Sequence, residues 1–270
     1  MKVYISVDME GIAGIVTFPQ TESGQADYGA ARKWLMAETN AAIEGALEAG
    51  ADEIVVNDAH GGMCNLLYDE LHPAARLVSG PLKPLAMMAG IDASFAAAMF
   101  IGYHAKAGAP GVLAHTWTSR LAGLWINGVE VGEWGMNAAL AGHFHVPVVL
   151  VTGDDCLVRE AKAELGDIET VVVKQALSRY AAMSLPRQQV LAEIRAGAAR
   201  ALRRRQTISP YRPALPLELQ VKFTMPQSAD SAAMLPRSRR LDPLTIAYEA
   251  GDAVEMFQAL YSLFALLAYT

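Results

Sequence analysis

Strand-like and helix-like patterns alternate along most of this chain, and this alternation strongly limits the folds open to it. The segment KVYISV at residues 2–7 alternates apolar side chains with a period of two, as a strand does. Residues 28–49 then carry an inward apolar stripe at helical spacing, and Gly50 supplies an end signal. Further strand patterns run through Ile54 to Val56 and up to Ile101. The sequence therefore predicts an α/β fold with a largely parallel sheet flanked by helices.

The second half of the chain predicts a smaller α+β unit. ETVVVKQAL, LELQVKFT and PLTIAYEA are strand patterns, while residues 186–206 and the apolar carboxyl-terminal segment predict helices. Earlier in the chain, the pair Asn127-Gly128 predicts a tight hairpin. We expect a core unit at residues 1–155 and a smaller unit at residues 156–270.

Polar side chains follow the predicted strands of the first half where each strand ends. Asp8 and Glu10 follow the first strand, His60 follows the second, and His104 follows the run that ends at Ile101. Because ligands bind at the carboxyl edge of open parallel sheets, these four side chains are candidates for one site. Two exposed acids at a strand end would be the simpler explanation of Asp8 and Glu10 alone.

The charge distribution favours a cation site. The net charge is −6, and residues 1–150 hold 7 basic against 15 acidic side chains together with all six histidines. This balance argues against a general nucleic-acid binder. Asp8, Glu10, His60, His104 and Glu133 form a nitrogen and oxygen donor set that suits zinc or a related ion. Five donors fit two metal ions better than one, and ions between Asp8 and Glu10 would relieve their repulsion.

Four segments together resemble the zinc-dependent D-aminopeptidase family, whose founding members are tied to dipeptide-permease operons in bacilli. They are SVDMEG at residues 6–11, VNDAHGGMCNL from Val56, GYHAKAGAPGVLAHT from Gly102, and INGVEVGEWGMNA from Ile126. The resemblance covers nearly the whole chain, and its SxDxEG opening is the most specific part. It implies that Asp8, Glu10, His60, His104 and Glu133 bind two zinc ions per chain, with Asp8 between them.

The resemblance also implies that His115 takes part in catalysis, as general acid to the leaving amine, as oxyanion stabiliser or, less attractively, as nucleophile. Asn57 and Asp58 are expected to orient His60. Cys64 is expected to be a small buried residue and not a ligand. The remaining histidines, at positions 72, 143 and 145, are expected to have structural roles only.

The predicted function is a dinuclear zinc aminopeptidase that uses a metal-bound hydroxide on short peptides with an amino-terminal D-residue, such as D-Ala-D-Ala. Another small-amide or L-dipeptide hydrolase on the same site is an alternative, as is a non-catalytic peptide-binding oligomer. The resemblance implies a ring-like homo-oligomer. With two cysteines, no signal-peptide pattern and no apolar run of membrane-spanning length, we expect a cytoplasmic protein without membrane or nucleic-acid partners.

Overall fold

The computed structural model describes residues 1–267, which form twelve strands and six α-helices. The strands are β1 (Lys2–Val7), β2 (Glu53–Asp58), β3 (Ala75–Val78), β4 (Ala97–Ile101), β5 (Leu121–Ile126), β6 (Val129–Glu130), β7 (Val148–Asp154), β8 (Glu169–Ser178), β9 (Ala181–Ser184), β10 (Leu217–Phe223), β11 (Arg239–Asp242) and β12 (Thr245–Ala250). The helices are α1 (Tyr28–Glu48), α2 (Glu133–His143), α3 (Asp155–Leu165), α4 (Arg187–Arg203), α5 (Pro226–Ala232) and α6 (Ala253–Leu267).

A seven-stranded sheet in the order β3-β2-β1-β4-β7-β8-β9 forms the centre of the molecule. All its neighbours pair in parallel except β8 and β9, which form an antiparallel hairpin at one edge. β1 is almost wholly buried between β2 and β4, as the apolar character of a two-sided parallel sheet requires. The predicted α/β class with a largely parallel sheet is confirmed.

Helices α1 and α4 pack closely against each other beside this sheet. Gly45 makes that approach possible, because a Cβ built there would lie 2.2 Å from the main-chain oxygen of Arg195. The observed bounds of α1 match the helix predicted at residues 28–49.

A second, antiparallel sheet has the order β11-β12-β10-β5-β6 and packs with α5 and α6. Asn127 and Gly128 both have positive φ in the turn between β5 and β6, as the predicted tight hairpin requires. β5 and β6 precede residue 155 and belong to this sheet, whereas β8 and β9 follow it and belong to the parallel sheet. Each sheet thus contains strands from before and after residue 155. The division of the chain into two units at that residue stays a prediction.

Within residues 1–267, no helix combines the length and the apolar character that crossing a membrane would need.

Candidate metal centre

The carboxyl ends of β1, β2 and β4 bring four polar side chains to one edge of the parallel sheet. The register pairs Val7 with both Asp58 and Ile101, so the residues that follow these strands are neighbours. The loop after β1 is held close to the loop after β4, where the Gly11 amide donates to the Gly102 carbonyl over 2.8 Å. Gly11 is required here, because a Cβ would lie 1.8 Å from the main-chain oxygen of Tyr103.

His60 lies between the two acids that follow β1. Its Nδ1 is 3.2 Å from Asp8 Oδ1 and 3.0 Å from Glu10 Oε2. Its Nε2 lies 2.9 Å from the main-chain oxygen of Thr21. Because a carbonyl only accepts, the proton of a neutral ring sits on Nε2, and the lone pair of Nδ1 faces the carboxylates.

His104 repeats this arrangement on the other side of Asp8. Its Nε2 lies 3.4 Å from both Asp8 Oδ2 and Glu133 Oε1, while its Nδ1 is 3.0 Å from the main-chain oxygen of Ala105. Asp8 therefore presents one carboxylate oxygen to each imidazole. Glu133 reaches the centre as the first residue of α2, directly after the extended Gly132.

His115 stacks on His104, with ring centroids 4.1 Å apart and an angle of 10° between the ring planes. Its Nδ1 lies 2.8 Å from the main-chain oxygen of Leu113, which leaves Nε2 free on the side of the centre, 3.9 Å from Glu133 Oε1. Phe18 contacts the same ring in a T-shaped arrangement. The loop between β4 and β5 thus adds a third imidazole to the centre.

Three buried polar atoms at the centre have no hydrogen-bond partner among the described residues: Asp8 Oδ2, Glu10 Oε2 and His104 Nε2. Buried acceptors that face one another are costly unless a cation lies between them. Possible ligand atoms come together in two groups, Asp8 with Glu10 and His104, and His104 with His115 and Glu133. Carboxylate oxygens and imidazole nitrogens are the donors that zinc accepts, so the residues present fit zinc.

The electrostatics of the centre also favour a bound cation. Burial and the neighbouring Glu10 carboxylate raise the pKa of Asp8 to about 7. Burial opposes charge on His104, but Glu133 and Asp8 outweigh this effect and raise its pKa to about 10. The negative carboxylates thus favour a protonated imidazole, whose positive charge offsets theirs. A divalent cation would offset the same negative charge.

Burial and the nearby positive ring of His104 lower the pKa of His115. The neutral form of its ring is therefore favoured. In that form, Nδ1 donates to Leu113 and Nε2 can accept a proton.

Lys174 on β8 holds the loop after β1 in place by hydrogen bonds, and the sequence pattern did not identify it as part of the site. Its buried ammonium donates to the main-chain oxygens of Glu10, Ile12 and Ile15 over 2.5, 2.9 and 2.7 Å. One cation therefore fixes the loop that carries Glu10. The only signal in the sequence is a lysine placed directly after three valines in a strand pattern.

Asp58 acts on His60 through an intermediary. Its Oδ2 accepts from the amides of Asn65 and Leu66, and the Asn65 side chain donates to both Asp58 Oδ1 and the main-chain oxygen of His60. Asn57 instead donates to the main-chain oxygens of Ala86 and Met87 and makes no hydrogen bond to His60. Asn65 was missed because its partners belong to the loop conformation, which the sequence pattern does not specify.

Cys64 is exposed, and the expectation that it is buried is wrong. It follows Met63, whose φ is positive, and lines a cavity, because the conformation of the loop after β2 leaves its side chain at the surface. Within residues 1–267, no hydrogen bond or ion pair joins the predicted ligands to the other three histidines, His72, His143 and His145.

A cavity of about 510 Å³ opens beside the centre and is lined by Glu10, His60 and His115. Other parts of its wall come from the loops before α1, after β2 and before β5, and include Phe18, Thr21, Glu22, Tyr28, Cys64, Thr118 and Ser119. A cavity of this size accommodates a small organic ligand next to the candidate metal atoms.

Comparison with known proteins gives three consistent matches. A peptidase family M55 model, described as D-aminopeptidase, matches residues 1–262. A D-aminopeptidase of Bacillus subtilis (strain 168) is 36% identical over 261 residues, which span 96% of this chain and 95% of that protein.

A solved structure is also similar, that of the Zn-dependent D-aminopeptidase DppA from Bacillus subtilis, described as a self-compartmentalizing protease. The two chains superpose with a TM-score of 0.98 at 36% sequence identity, over 100% of this chain and 99% of that one.

Proposed function

Since this chain belongs to the D-aminopeptidase family, peptidase family M55, we propose that it is a dinuclear zinc aminopeptidase that removes an amino-terminal D-residue from short peptides. Its class, a metallopeptidase with D-aminopeptidase activity, follows from that membership. The number of ions, the residues that hold them and the substrate are the proposal.

The observation that carries the two-ion assignment is that the two carboxylate oxygens of Asp8 face two different imidazoles. Asp8 Oδ1 faces His60, and Asp8 Oδ2 faces His104. Asp8 would therefore bridge the ions, with Glu10 and His60 on one ion and His104 and Glu133 on the other. The main-chain oxygens of Thr21 and Ala105 hold both rings in the tautomers that such binding requires.

Zinc in this position supplies Lewis-acid polarisation of the scissile carbonyl and lowers the pKa of the attacking water. The chain supplies the proton transfer. We assign this role to His115, whose Nε2 is free on the side of the centre, while its Nδ1 stays fixed on Leu113. His115 Nε2 would take up the proton released during attack and deliver it to the departing amine.

The cavity beside the centre supports a short peptide as substrate. Its volume of about 510 Å³ is enough for a few residues, and Phe18 contributes an apolar wall next to His115. Glu22 lines the same cavity and offers a negative charge to a free amino terminus. D-Ala-D-Ala is the simplest peptide with these properties.

We also propose that the chain assembles into a ring-like homo-oligomer in the cytoplasm. The similar Bacillus structure is described as self-compartmentalizing, which implies an enclosed chamber in that protein. Such a chamber would exclude folded proteins and admit short peptides. Light scattering coupled to size-exclusion chromatography tests the assembly, and a monomer at working concentration would contradict it.

The test of the function compares D-Ala-D-Ala with L-Ala-L-Ala on one preparation, first stripped of metal and then titrated with zinc. We expect release of D-alanine that rises until two zinc ions are bound per chain, with little action on the L-peptide. Preference for the L-peptide would point to an L-dipeptidase on the same site. Two bound ions with no turnover of either peptide would contradict the proposed substrate.

A further inference from the structure

A second cavity, of about 160 Å³, is lined in part by Ala13 and Gly14 of the loop that carries Glu10. Three segments form it: α1 with Trp34 and Glu38, the loop with Ala13 and Gly14, and the segment from Ser184 at the end of β9 into the start of α4. None of these residues belongs to the metal centre or to the peptide cavity.

Glu38 gives this cavity a buried acceptor without a donor. The residue is 2% exposed, and its Oε1 accepts from the Ala13 amide over 2.8 Å. Its Oε2 is buried and has no hydrogen-bond partner within residues 1–267. A ligand that brings a hydrogen-bond donor, above all a cationic one, would satisfy this oxygen.

The start of α4 places positive charge at the edge of the cavity. Pro186 precedes the helix, and no side chain caps its first turn. The free N–H groups and the helix dipole attract an anion at this end. The exposed guanidinium of Arg187, the first residue of the helix, adds a positive charge at the same place.

The size and remaining walls of the cavity restrict the ligand. At about 30 Å³ per water in the liquid, the cavity holds about five non-hydrogen atoms, close to the size of glycine or alanine. Trp34, Val190 and Leu191 provide apolar surface for a methyl group. Glu38 is the only carboxylate of the lining and no histidine is present, so the donor set does not suit a divalent metal.

We propose that this cavity binds a small free amino acid as its zwitterion, with the ammonium on Glu38 Oε2 and the carboxylate at the start of α4 beside Arg187. The site is distinct from the metal centre, and its existence does not depend on the proposed function.

The contacts of the loop connect this cavity to the metal centre. Ala13 donates to Glu38, and the Gly14 amide donates to Ser184 Oγ over 3.0 Å, so both amides bond to residues that line the cavity. Glu10 lies on the same loop. Occupancy by a free amino acid would therefore change the position of this loop at the metal centre, and its role as feedback from product rests on the proposed function.

The experiment titrates the zinc-loaded protein with D-alanine, followed by calorimetry and by tryptophan fluorescence. We expect a saturable fluorescence change that disappears in Trp34→Phe, because Trp34 lines the cavity. Affinity for this component should fall at least tenfold in Glu38→Gln and several-fold in Arg187→Gln. Arg203→Gln, which removes the same charge at the opposite end of α4, is the control and should bind as the wild type does.

Ala37→Leu gives a second variant that fills the cavity and keeps Glu38, with a melting temperature measured to verify folding. It should abolish the Trp34-dependent component. Propionate and ethylamine, which each lack one charge, should bind at least tenfold more weakly than D-alanine, and L-alanine measures the stereochemical preference. Absence of a Trp34-dependent signal, or binding that is unchanged in both Glu38→Gln and Ala37→Leu, would overturn the proposal.

Discussion

The ammonium of Lys174 lies 2.5 Å from the main-chain oxygen of Glu10, although 164 residues separate the two along the chain. The same ammonium holds two further carbonyls of the loop, at Ile12 and Ile15. A buried cation on the parallel sheet therefore holds the backbone of the loop that carries Glu10.

We predict that Lys174→Met, which keeps the aliphatic bulk, lowers the free energy of unfolding by on the order of 3 kcal/mol, because three buried carbonyls lose their donor. Zinc affinity should fall as well, since Glu10 loses its anchor. Urea denaturation and zinc titration measure the two effects. The exposed Lys162→Met is the matched control, and equal zinc affinity in both variants would contradict the role of Lys174.

If Asp8 bridges two ions as proposed, replacing it should affect the binding of both, whereas replacing a ligand of one ion should affect only that ion. In Asp8→Asn we expect zinc content well below one ion per chain, because both imidazoles lose the same charged partner. In His60→Ala we expect about one ion to remain on the side of His104. Elemental analysis after dialysis checks both values, and Asp69→Asn on the surface is the control. Full zinc content in Asp8→Asn would rule out the bridging assignment.

His115→Ala separates proton transfer from metal binding. We expect turnover to fall by about 100-fold to 10,000-fold, as for loss of a general acid or base, with zinc content unchanged. His143→Ala, a histidine outside the centre, should retain full activity. Loss of one zinc ion in His115→Ala would instead identify His115 as a ligand, in line with its grouping with His104 and Glu133.

Glu38 should make stability depend on pH. Burial, only partly opposed by the Ala13 amide and Lys174, raises its pKa from 4.5 to about 7. Between these pH values the folded protein holds a proton that the unfolded chain releases, so this contribution to stability decreases as pH rises. The total effect is at most about 3.5 kcal/mol, because the two pKa values differ by about 2.5 and a difference of one corresponds to about 1.4 kcal/mol. Urea denaturation at pH 5 and pH 8 should show this decrease for the wild type relative to Glu38→Gln, and parallel profiles would contradict it.

Two glycines of α1 should respond differently to the same substitution, because only one of them lies against α4. Gly45→Ala places a methyl group against the backbone of α4 and should destabilise the protein by about 1 to 3 kcal/mol. Gly29→Ala meets nothing within 4 Å and should be neutral or stabilise by up to about 1 kcal/mol, the gain in helix propensity. Thermal denaturation compares them, and equal stability of both variants would show that α1 and α4 separate at little cost.

The sequence could predict the parallel sheet and the location of Asp8, Glu10, His60 and His104, because both follow from local patterns and from the rule that parallel strands end at one edge. Their metal-binding roles stay predictions. The supporting contacts of Lys174 and Asn65 could not be predicted, because they join segments whose approach depends on loop conformation. The exposure of Cys64 depends on the same kind of loop geometry.

The three imidazoles at the centre are all oriented by main-chain oxygens, those of Thr21, Ala105 and Leu113. A carbonyl is common to every amino acid, so changes of side chain at these positions leave the hydrogen bond available. Thr21 also lines the peptide cavity. A side chain that lines the cavity can therefore change while the backbone keeps the adjacent imidazole in the same tautomer.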